Sequence, residues 1–192
     1  MKIQNPKYRN AIISDSNDLS KLESVIFAID KVNTNFQKEI NKESKKIFIC
    51  SYEKQIKEKN YSKIKNFLLK KLNKGINNHT ENKIIGYIKI WNIIGESHIE
   101  QIGVLNNFRK QGIAEKLLLL SIKYCIDNGS KKILLECRKS NTSAISLYKK
   151  YMFKIISVRK NYYPLNKTRE DAICFESPDI TTDFYYNKFL RN

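Results

Sequence analysis

Apolar positions along the chain follow two rhythms. One recurs every three or four residues; the other alternates or runs unbroken for four to eight. Leu19, Leu22, Ile26 and Ile29 share one helical face behind Ser14, Asp15 and Ser16, which suit an N-cap. A shorter helix follows from Thr34, carried by Phe36 and Ile40. Residues 116–128 (KLLLLSIKYCIDN) make the strongest helical stretch, and Gly129 stands where a left-handed residue would stop it. Asn141 to Tyr151 reads as another helix, capped by Ser140 or Asn141. Strand-like segments are Tyr8–Ser14, Lys46–Tyr52, Ile84–Asn92, His98–Val104, Lys132–Arg138, Phe153–Arg159 and Asp171–Glu176. Within the lysine-rich residues 53–82, Ile64, Phe67, Leu68 and Leu72 mark one more helical face, with Gly75 placed to end it. The order predicts a mixed α/β fold, a central sheet with helices on both faces. No repeat or linker divides the chain. It reads as a single domain over 1–192, with an inserted basic segment at 53–82 and a C-terminal extension at 178–192 that is either a docking turn or a loose tail.

Composition changes that picture little. The 192 residues carry 36 Lys and Arg against 19 Asp and Glu, a formal charge of +17. Such an excess favours anionic partners, and the joint richness in Lys, Ile and Asn also fits the codon bias of an AT-rich genome. Cys50, Cys125, Cys137 and Cys174 are scattered in apolar stretches and form no CxxC, so they read as reduced core thiols. His79 and His98 have no neighbour at ligand spacing, which speaks against metal catalysis. The N-terminal stretch lacks an apolar core, and no apolar run is long enough to span a bilayer. A soluble cytoplasmic protein with no membrane contact is expected.

Two stretches carry chemistry. In Asn106–Glu115 (NNFRKQGIAE) a tight loop leads from an apolar strand into a helix. The first N–H groups of a helix lack internal partners and carry partial positive charge. Gly112 removes a Cβ that would keep a ligand away, Ala114 keeps the next turn narrow, and Arg109 and Lys110 add charge at the mouth. The pattern suits a pyrophosphate lying on backbone amides; an ordinary helix start with a helpful glycine is the plainer alternative. Further on, Glu136 interrupts an apolar strand, which fits either a general base or an ion pair with Arg138 on the same strand face. Asn141 suits a cap that also faces a ligand. Tyr148, two helical turns on, is either a proton donor or a packed side chain.

Together these residues carry a resemblance. IGVLNNFRKQGIAEKLL (102–118), LLECRKSNTSAISLYKKYMF (134–153), VRKNYYP (158–164) and REDAI (169–173) resemble, in order and spacing, the GNAT superfamily of acetyl-CoA-dependent N-acetyltransferases. They are most similar to its RimI-type ribosomal-protein-alanine N-acetyltransferases. The resemblance covers the last 95 or so residues closely and the first 80 only by element order. It implies a GNAT-type acyl-CoA N-acyltransferase fold: a mixed, mostly antiparallel sheet of about seven strands, with the extra basic helix inserted between the second and third.

By resemblance, acetyl-CoA is the co-substrate, its pyrophosphate held by Arg109, Lys110, Gln111, Gly112, Ile113, Ala114 and Glu115. The backbone of Ile102, Gly103 and Val104 would meet the pantetheine amides, and Asn141 the pantetheine arm. Glu136 matches the family's proton acceptor and Tyr148 its proton donor. Asn161, Tyr162 and Tyr163, placed between the last two strands, would wall the substrate. The implied acceptor is a protein N-terminus, first of all the alanine of a small-subunit ribosomal protein, with contact to the ribosome or another acidic surface, and not nucleic acid as substrate. A lysine or small-molecule amine is the alternative acceptor, and an RNA-binding module with a vestigial acetyl-CoA fold the reading from another class. An acyl-enzyme on Cys137 is disfavoured, since alternation turns it away from Glu136. The chain departs from the family at Ile29–Asn35, where a Phe-Pro-Trp-like turn is absent, and at Met152, where a glycine usually precedes the phenylalanine.

Overall fold

The computed structural model describes residue 3 and residues 5–28, 34–55, 80–165 and 168–191. The chain runs β1 (Lys7–Asn10), α1 (Ser16–Phe27), α2 (Phe36–Ile40), β2 (Lys45–Gln55), β3 (Thr80–Ile93), β4 (Glu96–Val104), α3 (Ile113–Asp127), β5 (Lys132–Arg138), α4 (Thr142–Lys150), β6 (Lys154–Leu165), β7 (Thr168–Glu176) and α5 (Asp183–Phe189). The sheet order is β1-β2-β3-β4-β5-β7-β6. Every neighbouring pair is antiparallel except β4–β5. Helices cover both faces. Leu19 and Leu22 of α1 and Phe36 of α2 bury Ile47, Ile49 and Tyr87 on one face. On the other, Leu117, Leu118 and Ile122 of α3 pack with Ile133, Leu135 and Cys137 of β5 and with Tyr148 of α4. No helix among the described residues is long and apolar enough to cross a membrane.

Several boundaries differ from the sequence expectation. The opening strand is shorter than Tyr8–Ser14 because Asp15 accepts the Ile12 N–H at 2.8 Å and pairs with Arg9, turning the chain into α1. β2 and β3 are longer than their apolar cores, since Glu53 and Lys54 continue the ladder opposite Asn82 and Glu81. The ends of the 53–82 insertion are therefore strand, and its expected helix, with Ile64, Phe67, Leu68, Leu72 and Gly75, lies outside the described residues, as does Ile29. Asn161–Pro164 is not a connection between the last two strands but part of β6, beyond a register break at Arg159/Tyr163. Asn161 has φ 52 there, a left-handed conformation that asparagine tolerates better than most residues. The C-terminal extension docks: Tyr185 is 1% exposed, its hydroxyl donates to the Tyr151 carbonyl, and Phe189 packs on both rings.

At the centre of the sheet the strands separate. The β4–β5 ladder joins Glu96–Ile99 to Lys132–Leu135 and stops there, so the C-terminal half of β4 and residues 136–138 of β5 part company. α1 lies close on the freed half of β4: a Cβ added to Gly103 would sit 2.7 Å from Ile26 Cγ2.

Candidate active site

The split between β4 and β5 exposes backbone on one lip. Leu105 N–H bonds to Ile85 C=O, which makes Gly86↔Val104 a non-hydrogen-bonded pair of the β3–β4 ladder. Val104, and Ile102 two residues earlier, therefore turn their N–H and C=O away from β3 and into the split. Gly103 turns the other way, towards β3. This corrects the expectation that all three residues present backbone to a ligand; Gly103 is needed for the close approach of α1. Arg109 Nε caps the Val104 carbonyl at 3.0 Å, so the guanidinium also holds the loop.

That lip leads to a cavity of about 720 Å³ on the α3 side, walled by the end of α1, by β4 and by the start of α3 and α4. Gly112 opens α3 with φ 77, and an added Cβ would meet nothing within 4 Å. Its glycine identity is thus set by the left-handed backbone, and the space beside it is open. Lys110 is also left-handed at φ 59. Alternating conformations of this kind turn successive N–H groups to one side, the geometry that concentrates donors on an anion. The first intrahelical bond runs from Lys116 N–H to Gly112 C=O, which leaves the N–H groups of Ile113, Ala114 and Glu115 outside the helix ladder. The loop and cavity fit a phosphorylated ligand.

Side chains in this loop are divided in their duties. Gln111 Oε1 accepts the Ile3 N–H, and Gln111 is not among the cavity-lining residues. The Glu115 carboxylate points to α4, taking Lys150 Nζ and Tyr151 Oη at 2.5 Å each. Asn141 Oδ1 caps α4 by accepting the Ala144 N–H, and the residue also lines the cavity.

Tyr148 lines the same cavity from below and is 2% exposed. Burial first, then the nearby Cys137 and Tyr163, pushes its phenol well above the ordinary value. It therefore stays protonated at neutral pH. Burial likewise pushes the Cys137 thiol up to about 11, so it is no ready nucleophile.

Glu136 lies on the opposite face of the sheet. It lines a second cavity of about 410 Å³ with Trp91, His98, Glu100, Arg159 and Cys174. Its ion-pair partner is Arg159 of β6, 3.3 Å away, rather than Arg138. Arg138 instead pairs with Glu170, donates to the Pro164 carbonyl and lies over the Tyr163 ring at 4.7 Å. Cys174, directly across the ladder, donates to Glu136 at 3.8 Å. Tyr162 lies against the same carboxylate, whose hydrogen bond and charge lift its phenol above the ordinary value. So the structure brings Tyr162 to Glu136, puts Tyr163 under Arg138, and bends the chain at Asn161 just before the two tyrosines. The acid and the phenol are not side by side; they face the split from its two sides.

Sequence reasoning missed the groups that hold these parts. Glu170 accepts the Ser140 N–H at 2.5 Å and pairs with Arg138, fixing the β5–α4 turn. Asp171 accepts the Asn161 N–H, and Arg169 clamps the Asn161 and Tyr162 carbonyls. These are the residues of the REDAI segment. Its signal was present as a motif without a mechanism.

The family model of the Acetyltransferase (GNAT) family matches residues 41–153. A [ribosomal protein bS18]-alanine N-acetyltransferase of Escherichia coli is 35% identical over 86 residues, 45% of this chain and 58% of that protein. The chain spans 58–65% of the length of the curated relatives it matches. Among solved structures, the E. coli ribosomal-protein-S18-alanine N-acetyltransferase superposes with a TM-score of 0.70 at 22% identity, covering 91% of this chain and 94% of that one. Arabidopsis thaliana NAA60 in complex with acetyl-CoA gives 0.67 at 18% identity, covering 90% and 97%.

Proposed function

The chain belongs to the Acetyltransferase (GNAT) family, and from that premise we propose that it moves the acetyl group of acetyl-CoA to the α-amino group of a protein N-terminus. The N-terminal alanine of a small-subunit ribosomal protein is the first acceptor to test, by analogy with the E. coli relative. The observation that carries the reading is the split in the sheet, with a cavity that fits a phosphorylated ligand on one face and a carboxylate-bearing cavity on the other.

In this reading the amides at the start of α3 hold the pyrophosphate of acetyl-CoA, and the thioester it supplies lies in the split. The acceptor amine enters from the Glu136 side. Glu136 takes its proton, directly or through one water. The Val104 N–H, turned away from β3, stabilises charge developing on the carbonyl oxygen. Tyr148 gives its proton to the departing sulfur. An α-amino group has an ordinary pKa of about 7.7–8.0 against about 10.4 for lysine, so a carboxylate has far less to do for an N-terminus at neutral pH.

The test is incubation with acetyl-CoA and peptides beginning Ala, Ser or Met, beside polyamines and blocked peptides with an internal lysine. Thiol release and peptide mass are measured in the same reactions. Faster modification of lysine or polyamine overturns the N-terminal assignment, and salt-sensitive RNA binding without thiol release overturns the enzymatic one.

A further inference from the structure

One buried acid is not used by that mechanism. Glu23 of α1 is 1% exposed. Its Oε1 accepts from Thr34 Oγ1 at 2.7 Å and Gln101 Nε2 at 2.6 Å. Its Oε2 is buried with no hydrogen-bond partner among the described residues. Among those residues, neutral groups alone satisfy it. Tyr87, whose hydroxyl donates to Gln101 Oε1 at 3.0 Å, is kept a neutral phenol by burial and by the Glu23 charge.

The other carboxylates on this face have cations. Glu39 and Glu100 share Lys45 and Lys89, and Glu136 has Arg159. Among the described residues Glu23 thus has no cation beside it, and a buried carboxyl with one oxygen unsatisfied calls for a further partner. Its position says where that partner would be. Glu23 is one helical turn before Ile26, Phe27 and Ala28, which border the large cavity. Gln101, half-buried, is two residues before Gly103 on the freed lip of β4, on the face that meets α1. Glu23 and Gln101 therefore back one lip of the split, and Glu136 stands on the other.

We propose that Glu23 supplies the negative charge that draws a cationic amine to the β4 lip, with Gln101, fixed in orientation by Glu23 and Tyr87, as the group the amine meets. The inference rests on the proposed acetyl transfer to an amine. Most of an α-amine is still protonated at pH 7, and a chain of net charge +17 repels it. A local unneutralised carboxylate offsets that repulsion at the one place the amine must reach. Glu23 is a positioning residue: buried at 1% exposure, it acts through Gln101 and through its charge without touching the amine, and Glu136 removes the proton.

The test is Glu23→Gln, which keeps the shape and removes the charge. With whichever amine the wild type accepts, KM rises about tenfold or more, while kcat holds or rises because the charged form is no longer favoured. Affinity for acetyl-CoA is unchanged. Thermal stability holds or improves, since an unpaired buried charge has gone. Inhibition by an unreactive pair, the acceptor peptide with its α-amine methylated to a quaternary cation and the same peptide lacking the amine, decides the point. The wild type prefers the cation, and Glu23→Gln does not. If the variant keeps the preference, or if KM is unmoved and only the melting temperature falls, Glu23 is structural and the proposal is wrong. Either result leaves the acetyl-transfer reading standing; that reading fails separately, if the wild type acetylates no amine.

Discussion

Replacing Gly103 with alanine tests the link between packing and chemistry most directly. The new methyl would lie 2.7 Å from Ile26 Cγ2, 3.1 Å from Ile26 Cδ1 and 3.5 Å from Phe27 Cζ. Carbon atoms in contact prefer about 3.5–4.0 Å, so α1 or β4 must yield by roughly 0.8 Å. α1 is not free to do so, because Leu19 and Leu22 are packed in the core. The expected cost is about 1–3 kcal/mol, the usual range for overpacking, and a fall in melting temperature of about 2–12 °C. The displacement falls on the strand whose neighbours Ile102 and Val104 face the split. A misplacement approaching 1 Å there is expected to lower kcat/KM by up to about a hundredfold.

Ile26→Ala removes both clashing atoms, so Gly103→Ala added to that background should cost far less than on its own. A double-mutant cycle by thermal melting and by steady-state acetylation measures the coupling. If the two substitutions add independently, or if Gly103→Ala leaves both stability and rate untouched, the steric account of this glycine is refuted.

Four further outcomes are expected. Glu136→Gln lowers kcat by about 10²–10⁴-fold with acetyl-CoA affinity nearly unchanged; titration with CoA beside single-turnover rates checks both, and unaltered turnover removes Glu136 from its role. Tyr148→Phe keeps the buried ring and loses the proton, so thiol release slows while peptide KM stays put; a change in KM alone contradicts a donor. Met152→Gly stabilises the fold by about 1 kcal/mol, because Met152 sits at φ 63 at the end of α4, and chemical denaturation reads the gain. Glu115 is held below its ordinary pKa by Lys150, with help from Tyr151. A depressed carboxyl contributes its full stability above the unfolded value of about 4.3 and loses it as pH falls through the folded value. The stability gap between wild type and Glu115→Gln in urea should therefore be open at pH 7 and closed at pH 2.5; a gap independent of pH would show that the ion pair is not its source.

What was legible in the sequence was whatever burial writes into it. β5, α4 and the end of α3 appear within a residue or so of their expected limits because Gly129 and Asn141 punctuate the apolar pattern, and α3 begins three residues before its apolar stretch, directly after Gly112. The ends of β2, β3, β6 and β7 were not legible, because polar residues such as Lys54 and Glu81 extend a ladder by pairing rather than by burial. The site divides in the same way. Glu136 stands out as a carboxylate in an apolar strand, and Gly112 as a glycine at a helix start. The partner of Glu136 was not legible: Arg138, the one weighed as an alternative to a general base, is the nearest charge in sequence, whereas Arg159 arrives on the outer strand β6 through a register that the sequence does not reveal. Glu23 left no trace at all, since a glutamate on a helix ordinarily reads as solvent-facing.

The two-sided arrangement of the split has its own logic. A carboxylate and a phenol in one cavity would hydrogen-bond to each other, and the base would hold the proton the acid is meant to release. β5 prevents this by alternation: Glu136 goes to one face, and Cys137, packed in the core with Tyr148, to the other. The environments then diverge. Glu136 keeps an arginine and partial exposure beside it, which suits a group that must be charged to accept a proton. Tyr148 is sealed among Phe153, Phe175 and the floor of the large cavity, which suits a group that must remain protonated until a stronger base appears. In the proposed reaction the departing thiolate would be such a base. In that reaction the burial that keeps Tyr148 protonated in the resting protein would also destabilise the neighbouring anion, so the proton would cross only as the carbon–sulfur bond breaks.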